Sequence, residues 1–259
     1  MNKVIRHILP ILCGSLLVIG MSCAFIAGKV KRSSMKCERL EVTILDSLKN
    51  SFVSESDVKK YLDREYGTYV GMPLDSLDLV KMEKILDGRS SVLKSQAYVT
   101  KDGALHIDII QRSPVVRFQK KDGGFYADAE GYIFPLQNTY ASHVQVIDGD
   151  IPLAANSGYK GDIENAQEKA WFKRIMNVVN YMENSKVWKG KIVQIHVQKN
   201  GELILIPRVG KERFLFGQPD SINEKFSKME RYYTTIVPEK GSDRYKTVDV
   251  RFSNQIVCK

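Results

Sequence analysis

Asp128 and Glu130 stand one residue apart, a spacing at which two carboxylates could divide acid and base duties. Ala129 between them and Gly131 after them read instead as a turn between strands. His7, His106, His143 and His196 are isolated, and the last three fall in strand-like segments without a cysteine or carboxylate at metal-ligand spacing. They read as satisfied or exposed strand histidines. No nucleophile elbow, zinc-helix, Walker or dinucleotide-binding glycine pattern occurs. The chain therefore reads as non-catalytic, with no metal, no cofactor and no small-molecule substrate.

The residues that point to a function lie in a segment expected to form one closing strand, Thr247 to Val257. Val248, Val250, Phe252 and Ile256 place large side chains along it, with Asp249, Arg251, Ser253 and Asn254 interleaved, and nothing in the sequence follows to cover its edge. An open edge carries unpaired backbone donors and acceptors and is either guarded or used to add a partner's strand. The same pattern fits an interior strand with both neighbours filled, and the residues alone leave the two open.

Those strands need a scaffold. Leu40 to Ile44 alternates as a strand, and Ser54-Glu55-Ser56-Asp57 is a capping signature before Val58, Tyr61, Leu62 and Tyr66 at helical spacing. A second helix begins near Asp75 and Asp78, puts Leu79, Met82 and Leu86 on one stripe with Val80 and Ile85 beside it, and ends at Gly88. Ala97 to Thr100 and Ala104 to Ile110 flank Lys101-Asp102-Gly103, a hairpin signal, with Leu105, Ile107 and Ile109 facing the helices. After Arg112-Ser113-Pro114 come short strands at 115–118, 124–127, 132–134 and 143–147, separated by glycine turns. Trp171, Ile175, Val178, Val179 and Met182 mark one long helix. A hairpin around Asn200-Gly201, a strand at 213–216 and a helix over 223–236 precede the closing strand.

Residues 8–28 form an uncharged, mostly apolar run bracketed by Lys3 and Arg6 before it and Lys29, Lys31 and Arg32 after it. About 21 helical residues reach about 31 Å, the hydrocarbon thickness of a bilayer. No small-residue cleavage site follows, so the run reads as an anchor. The positive charges nearest its ends favour leaving the large part inside. Long domains translocate largely regardless of charge, however, and a short basic tail before a first apolar helix reads as a signal anchor with the bulk outside. The 259 residues carry a net charge of +9, with lysines and arginines scattered rather than striped, which excludes a nucleic-acid partner and suits anionic lipid or wall polymer. Cys37 and Cys258, outside the apolar run, read as two free thiols.

In this order the parts resemble the FtsQ/DivIB family of bitopic cell-division proteins, along essentially the whole chain. Val70-Gly71-Met72-Pro73-Leu74 resembles the family's entry to the second helix of its POTRA unit. Gln111-Arg112-Ser113-Pro114-Val115 resembles its E-R-x-P-V join with Gln for Glu, and Tyr126 to Phe134 is similar to its Y-x-D-x-x-G-x-x-F segment. Tyr245 and Val248-Asp249-Val250-Arg251-Phe252 resemble its closing strand, while the residues after Phe252 depart from the enteric pattern. The resemblance implies an α+β chain: a short cytoplasmic tail (1–7), a single transmembrane helix (8–28), a linker (29–36), a small POTRA-like α/β domain (37–113) and a mostly antiparallel β domain with packed helices (114–259). It further implies a non-catalytic divisome scaffold, single-pass in the inner membrane at the septum, with its C-terminal domain in the periplasm. Its partners would be FtsB/FtsL-type proteins and the septal peptidoglycan synthase complex. Arg251 and Phe252 match partner-contact positions, Val248, Asp249 and Val250 supply adjoining backbone, and Ser253, Asn254 and Ile256 extend the binding segment. The alternative function is an anchored POTRA protein of envelope transport or assembly that holds client polypeptides.

Overall fold

The computed structural model describes residues 16–22, 35–137 and 140–259. Residues 16–22 are helical and exposed, while the rest of the apolar run, the tail 1–7 and residues 29–34 lie outside the described residues. No helix among the described residues is long and apolar enough to cross a membrane. The chain divides into two compact units, one reaching to Ser47 and resuming over Val53–Gln111, the other made of Leu48–Phe52 and Arg112–Lys259.

In the first unit, β1 (Arg39–Ile44), α1 (Glu55–Glu65), a single 3-10 turn (Leu74–Ser76), α2 (Leu79–Asp87), β2 (Val92–Val99) and β3 (Ala104–Gln111) follow one another. The sheet order is β1-β3-β2, with β1 parallel and β2 antiparallel to β3. Ser54 caps α1 as its spacing requires: its hydroxyl accepts the Asp57 N–H, and the Asp57 carboxylate accepts the Ser54 N–H. Val58, Leu62, Met82 and Leu86 are fully buried on the helices, as are Leu105, Ile107 and Ile109 on the sheet. Val80, beside the expected stripe, is exposed. In the β2–β3 turn Gly103 has φ +84°, and a Cβ there would lie 3.1 Å from both the Lys36 carbonyl and Glu38 Cγ, so only glycine fits without strain.

β2 starts five residues before the expected Ala97. The polar Lys94-Ser95-Gln96 hides the alternation, but Ser95 donates its N–H and hydroxyl to Asp87 at 2.7 Å each, and the Ala97 N–H reaches Glu83 at 2.8 Å. Carboxylates of α2 thus supply part of what fixes this stretch on the helix.

The second unit is a nine-stranded mixed sheet: β4 (Pro114–Lys120), β5 (Gly123–Asp128), β6 (Ile133–Pro135), β7 (Gln145–Gly149), β8 (Ile192–Val197), β9 (Leu203–Pro207), β10 (Arg213–Gly217), β11 (Thr247–Asp249) and β12 (Val257–Cys258). Their order is β12-β11-β10-β9-β8-β7-β4-β5-β6. Parallel pairs join β4 to β7, β7 to β8 and β10 to β11; the other neighbours are antiparallel. The long helix α3 (Ala166–Asn184) buries Trp171, Phe172, Ile175, Val178, Val179 and Met182, and Phe118 of β4 lies 5.7 Å from the Phe172 ring. His143 falls just before β7 and is exposed, not within a strand as its sequence context implied.

The helix expected over 223–236 is interrupted. α4 (Ile222–Arg231) passes into a π turn (Tyr232–Ile236) and then α5 (Val237–Lys240). Widening the turn lets two adjacent tyrosines point inward: the Tyr232 and Tyr233 rings lie 5.6 and 5.7 Å from Phe214, both edge-on.

Phe52 is buried in this unit, edge-on to Tyr126 at 5.6 Å, Phe134 at 6.0 Å and Tyr140 at 4.9 Å. Phe52→Ala is expected to destabilise the second unit by about 3 kcal/mol, read as a lower denaturant midpoint with secondary structure unchanged at zero denaturant. An unchanged midpoint would mean that these ring contacts contribute nothing.

Candidate functional site

β11 lies parallel to β10, with Val248 opposite Phe214 and Asp249 opposite Leu215. A parallel neighbour needs a crossover, and α4, the π turn and α5 supply it. Strand alternation sends Val248 and Val250 into the core, both fully buried, and turns Asp249 to the opposite face. The Val250 N–H still reaches the Leu215 carbonyl at 3.2 Å.

Arg251 folds back on Asp249. Its Nε and Nη2 reach the two carboxylate oxygens at 2.9 and 2.7 Å, its own backbone N–H adds a third bond at 3.1 Å, and Nη1 extends to Glu202 at 2.9 Å. Burial works against ionising Asp249, but the bonds from Arg251 outweigh it and hold the carboxyl below its ordinary value. Bonding to Asp249 in turn holds the Arg251 guanidinium well above its own. The stem of Arg251 lies over Gly217, where φ is +74° and a Cβ would stand 2.8 Å from Arg251 Cγ.

The single closing strand expected over Thr247 to Val257 is not formed. β11 ends at Asp249, the chain turns through exposed Phe252, Ser253 and Asn254, and it returns as β12, antiparallel, with Cys258 opposite Val248 and Val257 opposite Asp249. Val248 and Asp249 therefore have neighbours on both sides, and of the two readings that the residues left open, the filled strand holds at these positions. The physical reason is a turn-forming Ser-Asn pair between apolar stretches, which lets Ile256 and Cys258 fold back onto the core margin. That pair was the available sequence signal for the reversal. Lys228 of α4 steadies the bend: its Nζ donates to the Phe252 carbonyl at 2.6 Å and the Val250 carbonyl at 3.3 Å, and pairs with Glu224 at 2.7 Å. Of the expected contact residues, Phe252 is the large side chain left in solvent, at 46% exposure. Cys258, Lys228 and Glu202 belong to this site and were not foreseen.

The residues first considered for chemistry serve structure. Asp128 is buried and accepts bonds from Arg112 Nη1 and the Tyr132 N–H, both at 2.8 Å; burial pushes its carboxyl upward despite them, while Glu130 sits exposed in the turn. His196 Nδ1 lies 2.9 Å from Asp148, which Gln194 also holds. His106 stacks on Tyr98, and His7 lies outside the described residues. Among the described residues no group of three or more histidine, cysteine or acidic side chains is placed to hold a metal, and Cys37 and Cys258 are free thiols.

Two of the segments that carry the resemblance meet here in space, since the Arg112 guanidinium pairs with Asp128 and lies 3.5 Å from the Tyr132 ring centre. The family model described as FtsQ/DivIB, C-terminal related, matches residues 113–259, and the POTRA-like domain model matches residues 35–110. The chain belongs to the FtsQ/DivIB family. Family membership gives it a cell-division role, and FtsQ/DivIB proteins are non-catalytic division proteins. A search of curated proteins finds no match.

For this FtsQ/DivIB chain the Asp249–Arg251 clamp sets a pH dependence. The folded carboxyl lies below its ordinary value of 3.8, so the unfolded state binds more protons as pH falls through that value, and the clamp's contribution is lost on acidification. Denaturant midpoints taken from pH 5 down to pH 3 should fall less steeply for Asp249→Asn than for the parent chain; parallel slopes would refute the clamp. Gly217→Ala is expected to cost about 2 kcal/mol, from backbone strain and displacement of Arg251, measured as a loss of thermal stability.

Proposed function

We propose that the chain is a non-catalytic scaffold of the division machinery and that the C-terminal end of its large sheet takes up a strand from an FtsB/FtsL-type partner. Through that partner it would connect to septal peptidoglycan synthesis. In this reading the apolar run 8–28 is the single anchor in the inner membrane, and both units work on the periplasmic side at the septum. The basic surface suits apposition to anionic lipid.

The observation that carries the reading is an exposed aromatic beside an end strand. Phe252 stands in solvent next to β12, the outermost strand of the sheet. Thr247 and Lys259 exchange both backbone bonds, at 3.0 and 2.9 Å, so the antiparallel alternation turns the N–H and C=O of Cys258 away from β11. An aromatic anchor beside outward backbone groups is what a strand-adding partner needs: main-chain bonds for affinity and one large side chain for specificity. FtsQ/DivIB membership supplies the cellular setting.

Phe252→Glu tests it, because a side chain in solvent can be changed without disturbing the core. We expect a loss of about 2 kcal/mol of partner affinity, roughly 30-fold, seen as failed recovery of an FtsB-type protein in membrane co-purification, with thermal stability unchanged. Recovery equal to the parent chain would count against the assignment. A fluorescent fusion should form a midcell band, whereas a uniform rim would favour the envelope-assembly alternative.

A further inference from the structure

Phe252 lies beyond the point where β11 finishes. At the opposite end of the large sheet, where β10 and β11 begin, the loop from α3 to β8 and the turn from β9 to β10 enclose a groove of about 440 Å³ against α4, within the roughly 300–1,000 Å³ of small-ligand sites. Trp188, Pro207 and Tyr233 line it, and Val187 and Val209 stand exposed at its rim. The turn that carries Val209 is well held. The Arg208 N–H donates to the Lys191 carbonyl at 2.7 Å and its Nε to the Gly190 carbonyl at 2.8 Å, while the buried Glu212 carboxylate lies against Gly210 and accepts the Tyr233 hydroxyl. Val209 is nonetheless 80% exposed. Charge at this end is one-sided: Lys186, Lys191, Arg208, Arg213, Arg244 and Lys246 are exposed with no carboxylate partner among the described residues, and Lys189 and Lys211 meet Glu183 and Asp243 only at 3.8 and 3.5 Å. Glu230 is the one carboxylate that lines the groove.

We propose that this end of the second unit docks on an anionic bilayer surface: Val187 and Val209 enter its apolar margin, the unpaired lysines and arginines meet lipid phosphates, and the groove receives part of an acyl chain. An ordered turn that displays an apolar side chain among cations suits the membrane interface, where burial of that side chain and attraction to anionic headgroups act together. The lining decides between a lipid and a protein segment. A peptide laid in the groove would bring backbone N–H and C=O groups that need partners, and among the described residues no unpaired buried side-chain donor or acceptor lines it. An acyl chain needs none. β4, β7 and β8 run parallel and start at this same end, so the chain enters the second unit, at Pro114, on the side that bears the groove. The docking rests on the reading of residues 8–28 as an anchor, which brings a bilayer within reach, and is independent of the strand-adding site beside Phe252.

The full chain in lipid nanodiscs tests this with its own fluorescence, because Trp171 and Trp188 are its only tryptophans. The discs carry phosphatidylglycerol brominated on its acyl chains, where bromine quenches indole emission on contact, or equally brominated phosphatidylcholine. Quenching is expected in the phosphatidylglycerol discs at low salt, is lost at high salt, and is absent from Trp188→Phe, which leaves Trp171 alone. Lys191→Gln combined with Arg208→Gln should lower the ratio of docked to free unit roughly 30-fold. Val209→Asp, at a side chain already in solvent, should abolish the quenching while thermal stability and recovery of the division partner stay as in the parent chain. Equal quenching in the two lipids, or quenching that persists in Trp188→Phe or in Val209→Asp, refutes the docking. If bromine leaves the emission unchanged while a labelled peptide of alternating glutamate and leucine binds the parent chain and not the Lys191→Gln, Arg208→Gln chain, the groove takes a protein segment and lipid docking is refuted. A chain that does not enter the discs overturns the anchor instead; flotation with vesicles of the same two lipids then decides the docking, recovery on phosphatidylglycerol alone supporting it and any other result refuting it.

Discussion

Asp249 is the point on which the C-terminal end of the large sheet depends. Its carboxylate takes three donors from Arg251, two of them from the planar guanidinium, and the remaining arm of that group reaches Glu202 at the start of the β9 hairpin leg. A guanidinium shared by two carboxylates tolerates partial burial because both charges are compensated and every bond is charge-assisted. The result is a bend held from its own inside. Once Arg251 is turned back toward Asp249, the backbone after Val250 leaves the strand path, and the chain is free to reverse and lie down as β12. Gly217 permits this arrangement by giving the Arg251 stem a surface without a Cβ.

That bend would not matter on an ordinary hairpin. It matters here because β11 arrives parallel to β10 by way of a helical crossover, so α4 lies alongside the site and can contribute Lys228. The ammonium serves two carbonyls that the bend removes from strand pairing, those of Val250 and Phe252, and it is kept in place by Glu224 one helical turn earlier. Backbone groups that leave a ladder must be satisfied elsewhere. Asp249 and Lys228 do this for the Arg251 N–H and the two carbonyls, which is why the loop can be exposed and yet ordered, with Phe252 displayed in solvent.

Much of the architecture is readable from local rules. The capping box at Ser54 and Asp57, the Asp-Gly turn at Gly103 and the inward stripe of α3 are set by residues within one or two turns of each other, so a single sequence suffices. The elements that escape are governed by distant partners. β2 begins early because carboxylates of α2 bond to it, and the π turn exists because two tyrosines pack on Phe214 of another strand. At the candidate site, alternation from Val248 to Phe252 shows a strand correctly as far as Asp249. It cannot show that Arg251 pairs with Glu202, 49 positions away. Ser253-Asn254 carried a turn signal that the run of large side chains around it obscured.

The two ends of the nine-stranded sheet handle the same hazard. A long open edge invites uncontrolled pairing between chains, and both ends of this sheet are short. At the far end β6 has three residues, and Ile133 exchanges backbone bonds with Gly161, so a passing loop closes that side. At the near end the cover is β12, which has neither a buried side chain nor a pair of long flanking strands to hold it. Ile133 on the far end is fully buried, whereas Ile256, Val257 and Cys258 are only half so. Backbone bonds alone contribute little net stability against water, so the cover with less apolar burial is the one that opens at lower cost. The asymmetry leaves the more weakly buried cover at the same end of the sheet as the exposed Phe252.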